Sequence, residues 1–183
     1  SAMDALTQVT DLSNITNAPG VRKANEELHA VGLGVMNLHG YFAKNIIPYE
    51  SDYAKEFANQ FFMMINYYSL KRSMEIAIKK NKKFEEFDKS EYANGKYFEK
   101  YIKNDYTAKS DKVKSLFGNM YIPTKEDWAK LAKDVKKNGL YHAYRLAIAP
   151  TQSIGYIQNA TAGISPITDI IERRTYGDST TYY

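Results

Sequence analysis

The sequence predicts a helix-dominated α/β fold, and three segments carry that prediction: a long buried helix 52–80, a capped helix 124–137 and a short strand 145–149. Each follows from spacing. Ala54, Phe57, Phe61, Met64, Ile65 and Tyr68 recur every three or four residues, which puts them on one helical face. Phe61 to Tyr68 is apolar on nearly every side except Asn66, so this helix must be covered on more than one face. Trp128, Leu131, Ala132 and Val135 form the stripe of the second helix. Thr124 and Asp127 have the spacing of a capping box, and Asn138–Gly139 supplies its stop. Leu146–Ala147–Ile148–Ala149 reads as a buried strand that Pro150 ends.

Between and around these, the elements come in order. Residues 1–20 are polar, dotted with Ser, Thr and Asn, and close on Asn17–Ala18–Pro19–Gly20; turn chemistry of that kind predicts an irregular arm. From Ala24 through Leu28, Val31, Val35, Leu38 and Phe42 the apolar spacing is helical. Gly32 and Gly34 interrupt it at about 1 kcal/mol each. A break near Gly32 and a helix resuming over Val35–Lys44 are expected. Ser51 is placed to cap the long helix, with Asp52 in its first turn. Residues 84–123 alternate aromatic and charged positions, with short helices broken at Asn94–Gly95 and Gly118–Asn119. The Thr- and Tyr-rich tail from Tyr176 to Tyr183 suits an extended strand. Residues 21–183 are therefore expected to form the structured domain.

Composition narrows the function. The chain has 183 residues, of which 44% are hydrophobic, enough for a sizeable core. The longest apolar run, Phe61–Ile65, falls far short of the roughly 20 residues that span a bilayer. Ser1–Ala2–Met3 shows no signal pattern and reads as a cloning remnant before a Met. The net charge of +4 is mild. Lys79, Lys80, Lys82 and Lys83 precede Glu85, Glu86 and Asp88, which suits a solvated helix end rather than a nucleic-acid face. The absence of any cysteine removes disulfides, thiolate metal sites, cysteine nucleophiles and thiyl radicals together. It also fits a cytoplasmic origin.

The candidate sites differ in weight. Gly32–Leu33–Gly34 fails as a dinucleotide fingerprint, since Asn37 stands where a third glycine belongs and the preceding segment is helical. His29, His39 and His142 lack metal-ligand spacing and read as packed or surface histidines. Ser153 lacks the Gly-x-Ser-x-Gly context of a hydrolytic nucleophile. No catalytic and no metal-binding residue is assigned. The stretch Pro150–Thr151–Gln152–Ser153–Ile154 is different. A strand ends there and small hydroxyl residues open a helix, so unpaired N–H groups and the positive end of the dipole converge on one point. Thr151 and Ser153 add hydroxyl donors, and an anion is the natural ligand.

Several motifs then appear in order. Val31–Gly32–Leu33–Gly34–Val35–Met36–Asn37–Leu38–His39–Gly40–Tyr41 is followed by Tyr92–Ala93–Asn94–Gly95–Lys96–Tyr97–Phe98 and Ile122–Pro123–Thr124–Lys125–Glu126–Asp127–Trp128. Then come Arg145 to Ile154, Asn159–Ala160–Thr161 and Ile171–Glu172–Arg173–Arg174. Together they resemble an internal piece of the large (alpha, catalytic) subunit of class Ib ribonucleoside-diphosphate reductases, from about Val9 to Tyr183.

The resemblance implies a partial piece of a ten-stranded α/β barrel that reduces ribonucleoside diphosphates to deoxyribonucleotides by thiyl-radical chemistry. It implies that Pro150, Thr151, Gln152, Ser153 and Ile154 are the substrate-phosphate loop, with Gln152 departing from the glycine often found there. The family's thiyl and first redox cysteines match positions upstream of this stretch. Its radical-transfer tyrosine pair and terminal cysteines match positions downstream. Tyr182–Tyr183 therefore reads as structural. The chain itself is expected to bind no cofactor. The parent depends on a metal-containing radical small subunit and on a thiol reductant delivered by a redoxin. Expected partners are a ribonucleoside diphosphate, the remainder of the large subunit and that small subunit, with no membrane and no direct nucleic-acid binding. Two alternatives stand beside this reading: half of a split reductase that needs a complementing chain, or a non-catalytic helical protein-binding module. A piece taken from a barrel is also expected to self-associate into a homo-oligomer.

Overall fold

The computed structural model describes residues 2–171 and 173–182. Ser1, Glu172 and Tyr183 lie outside the described residues, and with them part of the Ile171–Arg174 motif, the tail's last tyrosine and the first residue of the N-terminal remnant. The chain divides into two compact units, one of residues 1–33 and 55–147, the other of residues 34–54 and 148–183.

The first unit is helical. It contains α1 (Ala2–Leu12), α2 (Pro19–Leu28), most of α4 (Asp52–Lys80), α5 (Glu91–Asn94), α6 (Lys96–Lys103), α7 (Asp111–Phe117) and α8 (Lys125–Asn138), with a 3-10 turn at Phe87–Lys89. The second holds α3 (Leu38–Lys44), α9 (Gln152–Ile157) and the strands β1 (Arg173–Tyr176) and β2 (Ser179–Tyr182).

The long helix has the expected limits, Asp52–Lys80, and the Ser51 hydroxyl accepts the Ala54 N–H at 3.2 Å. Its core contacts are aromatic. Phe57 stacks on Phe61 at 5.3 Å and on Phe117 at 5.1 Å, and Tyr67 meets Trp128 edge-on at 5.1 Å. Asn66, the polar exception in the run, is buried. Its Nδ2 donates to the Tyr101 hydroxyl at 2.8 Å, and its Oδ1 accepts from the Tyr97 hydroxyl at 3.0 Å and from the buried Arg145 guanidinium. Arg145 also donates to Ser69, Tyr92 and Tyr97 and lies over the rings of both tyrosines, so polar and π partners replace the lost water of its terminal nitrogens, while its buried Nε has no partner among the described residues. The second helix runs one residue later than expected, and its capping box is closed in both directions, Asp127 N–H to Thr124 and Thr124 N–H to Asp127.

The N-terminal segment is not the irregular arm expected of it. Residues Ala2–Leu12 form α1, with Met3 and Thr7 buried. Polar composition hid a short inward stripe whose partners lie far along the chain. The Thr7 hydroxyl donates to the Met3 carbonyl at 2.6 Å, so toward His142 Nε2, 2.9 Å away, it acts as acceptor. Ser73 accepts the His142 backbone N–H at 3.1 Å and donates to Nδ1 at 2.9 Å. That network selects the Nε2–H tautomer. Asp4 adds a two-pronged contact to Arg72. Pro19 opens α2, where its fixed φ and missing N–H suit the first turn, so the predicted turn is a helix start.

Two further expectations are corrected. The third helix begins at Leu38 rather than Val35: residues 30–36 form no helix and Asn37 takes a left-handed φ of 64°. The strand expected over 145–149 is reduced to a single parallel bridge, Leu33 to Leu146. Leu33 donates to the Arg145 carbonyl at 2.8 Å and its carbonyl accepts from Ala147 at 3.1 Å; beyond these Pro150 has no N–H to extend the ladder. A Cβ at Gly32 would come to 3.0 Å of the Ala147 Cβ, a tight contact that one side would have to relieve by a few tenths of an ångström. In the second unit the tail folds back on itself. β1 and β2 pair antiparallel from Arg173–Tyr182 to Tyr176–Ser179 across Gly177–Asp178, with Gly177 at a φ of 57°.

Candidate phosphate-binding loop

Each residue of the loop Pro150–Ile154 is held by local chemistry within the second unit. The Gln152 N–H donates to the Pro150 carbonyl at 2.9 Å, and the Gly155 N–H closes the first turn of α9 onto the Thr151 carbonyl at 2.6 Å. Thr151 does not cap its own helix. Its hydroxyl oxygen instead accepts the Gly163 N–H at 2.9 Å, leaving the hydroxyl proton to donate elsewhere. Gly163 makes this reach with a φ of 56°, where a Cβ would also approach the Ala149 carbonyl to 3.3 Å. Gly155 is buried against the Ala160 carbonyl, and Ala160 donates back to Gly155 at 2.9 Å.

A second clasp fixes the far side of the loop. The Thr161 N–H donates to Asn37 Oδ1 at 3.0 Å, while the Asn37 N–H donates to the Thr161 carbonyl at 3.0 Å. The Gly40 N–H adds a contact to the Thr161 hydroxyl at 3.3 Å. The left-handed backbone of Asn37, a conformation that Asn tolerates, turns its amide toward Thr161.

What remains available is an exposed edge. Gln152, Ser153 and Ile154 are exposed, and Thr151 is half-buried. Among the described residues the backbone N–H groups of Ser153 and Ile154 have no hydrogen-bond acceptor, as first-turn amides ordinarily lack one within the helix. A cleft of about 370 Å³ opens beside Pro150 and Gln152, walled by residues 161–168. Its lining carries no charged side chain. The arrangement offers neutral donors: two amides and the hydroxyls of Thr151 and Ser153. The helix dipole contributes little here, because α9 has only six residues and sums few peptide dipoles. Gln152 is not at positive φ, so the backbone there does not demand glycine.

Of the five predicted residues, Pro150 and Gln152 line this cleft, Thr151 is tied to Gly163, and Ser153 and Ile154 are exposed outside its lining. The structure also adds Asn37, Thr161 and Gly163, which sequence reasoning quoted in part as motif residues without a role. The histidines are each accounted for by packing. His142 is fully buried and burial pushes its imidazole pKa down to about 4; His29 stacks on Tyr141 at 4.1 Å and is likewise lowered by burial. His39 packs at a tilt against Tyr49. Among the described residues no three His, Asp or Glu side chains gather to hold a metal ion, and no helix is long and apolar enough to cross a membrane.

The loop belongs to a helix-dominated chain that carries no cysteine, and comparison with known proteins places the chain. A family model described as the ribonucleotide reductase barrel domain matches residues 1–183, and the chain belongs to that family. It is 57% identical over its whole length to the alpha subunit of the NrdEB ribonucleoside-diphosphate reductase of Bacillus subtilis, covering 17% of that protein. It is 53% identical to a second ribonucleoside-diphosphate reductase alpha subunit of the same organism, covering 26% of it. With the alpha subunit from Mycoplasma pneumoniae it shares 43% identity over 96% of its length, covering 25% of that protein. The chain therefore spans about a quarter, or less, of the length of these curated relatives. The family expected from the motifs is the family matched.

Proposed function

We propose that this chain is an internal piece of the catalytic barrel of a ribonucleoside-diphosphate reductase, that Pro150–Ile154 holds the substrate's phosphate groups, and that it contributes no catalytic residue of its own. One observation carries the reading. A chain matched end to end by the barrel-domain family presents the Ser153 and Ile154 amides, and the Thr151 and Ser153 hydroxyls, along one exposed edge. Amides and hydroxyls of this kind bind phosphate oxygens without a cation. On this reading the cysteines, the thiol reductant and the radical from a metal-containing small subunit all come from outside these residues. The chain's own contribution is to bind and orient. A ribonucleoside diphosphate, the remainder of the alpha subunit, the small subunit and a redoxin are its proposed partners, and the cytoplasm its proposed compartment.

The test is a titration of the isotope-labelled chain with inorganic pyrophosphate, followed by amide NMR. Saturable shifts at Ser153, Ile154 and Gly163, weakened about tenfold or more in Ser153→Ala, support the reading; a charge-assisted hydrogen bond contributes about 1.5–3 kcal/mol. Shifts spread over the lysines of α4, with none at the loop, would sink it.

A second reading, a helical module that binds another protein, is favoured by one feature of the first unit. A groove of about 370 Å³, almost wholly apolar, runs beside Phe61, Ile65, Tyr68, Phe117 and Met120. A monomer by light scattering whose groove binds no hydrophobic dye counts against it.

A further inference from the structure

The motif Tyr92–Phe98 has no role in holding phosphate, and it contains one of the two Asn–Gly steps of the chain, Asn94–Gly95 and Asn138–Gly139. An asparagine followed by glycine carries its own electrophile and nucleophile: the side-chain carbon Cγ and the next backbone nitrogen. Glycine has no Cβ to keep the two apart. The fold treats the two steps differently.

At Asn138–Gly139 both groups are engaged. The Gly139 N–H donates to the Val135 carbonyl at 2.8 Å, and Asn138 Nδ2 donates to the Asp134 carbonyl at 2.8 Å. Gly139 is buried, and a Cβ on it would meet the Lys83 side chain at 2.9 Å. The next residue, Leu140, is fully buried, so the backbone there cannot swing without disturbing close-packed neighbours.

At Asn94–Gly95 the two groups are free to meet. Asn94 is exposed and ends α5, a single turn of four residues. Its own N–H reaches the Ser90 carbonyl only at 3.4 Å. The Gly95 N–H has no hydrogen-bond acceptor among the described residues, and a Cβ on Gly95 would touch nothing within 4 Å. Rotation about the Asn94 Cα–C bond therefore carries this nitrogen toward Cγ without breaking a hydrogen bond of its own. Asn94 Oδ1 accepts the Lys96 backbone N–H at 2.9 Å. That donor is aimed at the atom on which negative charge develops during attack, as in an oxyanion hole.

We infer that Asn94 is a site of self-modification, at which the chain deamidates without an enzyme. The Gly95 nitrogen loses its proton to solvent base and forms a bond to Asn94 Cγ. The bond from Cγ to Nδ2 breaks, and the side-chain nitrogen takes a proton from water and leaves as ammonia. Water then hydrolyses the cyclic imide at either of its carbonyls, giving aspartate or isoaspartate with no change in oxidation state. Isoaspartate adds a methylene to the main chain between Tyr92 and Tyr97, the two tyrosines that accept from the buried Arg145.

The test keeps the 183-residue chain folded in mildly alkaline buffer, with a second sample in urea. Samples taken over time are digested with trypsin, which releases the two steps in separate peptides, Ser90–Lys96 and Asn138–Arg145. Conversion is read by the mass gained when an amide becomes an acid, and by labelling with an isoaspartate-specific methyltransferase. In the folded chain the Asn94 peptide should convert at least about tenfold faster than the Asn138 peptide, whose hydrogen bonds add to its barrier. In urea the two rates should converge. Asn94→Gln keeps an exposed amide but requires a larger ring, and should abolish conversion in its peptide while leaving Asn138 unchanged. Equal rates in the folded chain overturn the inference, and so does an Asn94 rate that rises more than about tenfold on unfolding, which would mean that the fold protects this step.

Discussion

Residues 55–147 and residues 148–182 are held by different forces. The first stretch buries Phe57, Leu70, Phe98, Val113, Phe117, Trp128 and Leu140, most of them almost completely. In the second, the only buried residues among those described are Gly155 and Gly163. One region is packed by apolar area at about 25 cal/mol per Å². The other keeps its shape through turns, clasps and backbone hydrogen bonds, each with a net contribution of about 0.5–1.5 kcal/mol. The candidate loop sits in the second kind of region. Binding edges must leave donors unpaired, and a segment that buried its own surface completely would have none to offer.

The largest effect that sharpens this contrast is expected from Trp128→Ala. Trp128 is 2% exposed and packs on Tyr67, Phe98 and Tyr101. Its loss should cost ~3–5 kcal/mol, read from urea unfolding by circular dichroism. A cost below about 1 kcal/mol would break the picture of an aromatic core.

Next in size is a pH effect confined to the packed region. His142 has its pKa pushed down to about 4 by burial, against an ordinary value of 6.5. The folded state therefore binds its proton less readily than the unfolded chain does. The stabilisation is complete above about pH 6.5 and drains away as pH falls toward about 4, amounting to about 3 kcal/mol at ~1.4 kcal/mol per unit. Urea midpoints at pH 7.5 and 4.5 should diverge more in the wild type than in His142→Asn. Equal pH dependence of the two proteins would refute the assignment.

The smallest effect belongs to the clasped region. Asn37→Ala removes the acceptor of the Thr161 N–H and places alanine at a left-handed φ. Hydrogen exchange at Thr161 should accelerate about tenfold, the equivalent of ~1.4 kcal/mol, while α4 amides stay unchanged. Acceleration throughout the chain would show that the clasp and the packed core are one cooperative structure.

The two longest helices were legible in sequence because their signals are local. The stripe from Ala54 to Tyr68, the Ser51 cap and the Thr124–Asp127 box each lie within one or two turns, and helix limits followed to within a residue. What failed depended on distant partners. α1 was missed because Thr7 and Asp4 find His142 and Arg72 far along the chain, which composition alone does not reveal. The strand at 145–149 was overestimated because an apolar run reports burial and says nothing of how many neighbours pair with it. Arg145, despite its charge, proved a buried hub. The loop Pro150–Ile154 was read from sequence as a phosphate site; the clasps that shape it pair Thr151 with Gly163 and Asn37 with Thr161, contacts no periodicity encodes. The hairpin of β1 and β2 was half legible: the tail's strand character was read, and the turn at Gly177–Asp178 was not.

The bridge between Leu33 and Leu146 carries a consequence for how the chain acquires its structure. It joins two segments separated in the chain by the whole of α3 to α8. Closing so long a loop is entropically expensive when the intervening chain is free, and two or three backbone hydrogen bonds cannot offset that cost. Helices form from local contacts and shorten the path between their ends. The bridge is therefore a late event on the folding route, a latch that engages after the aromatic helices have drawn its two sides together.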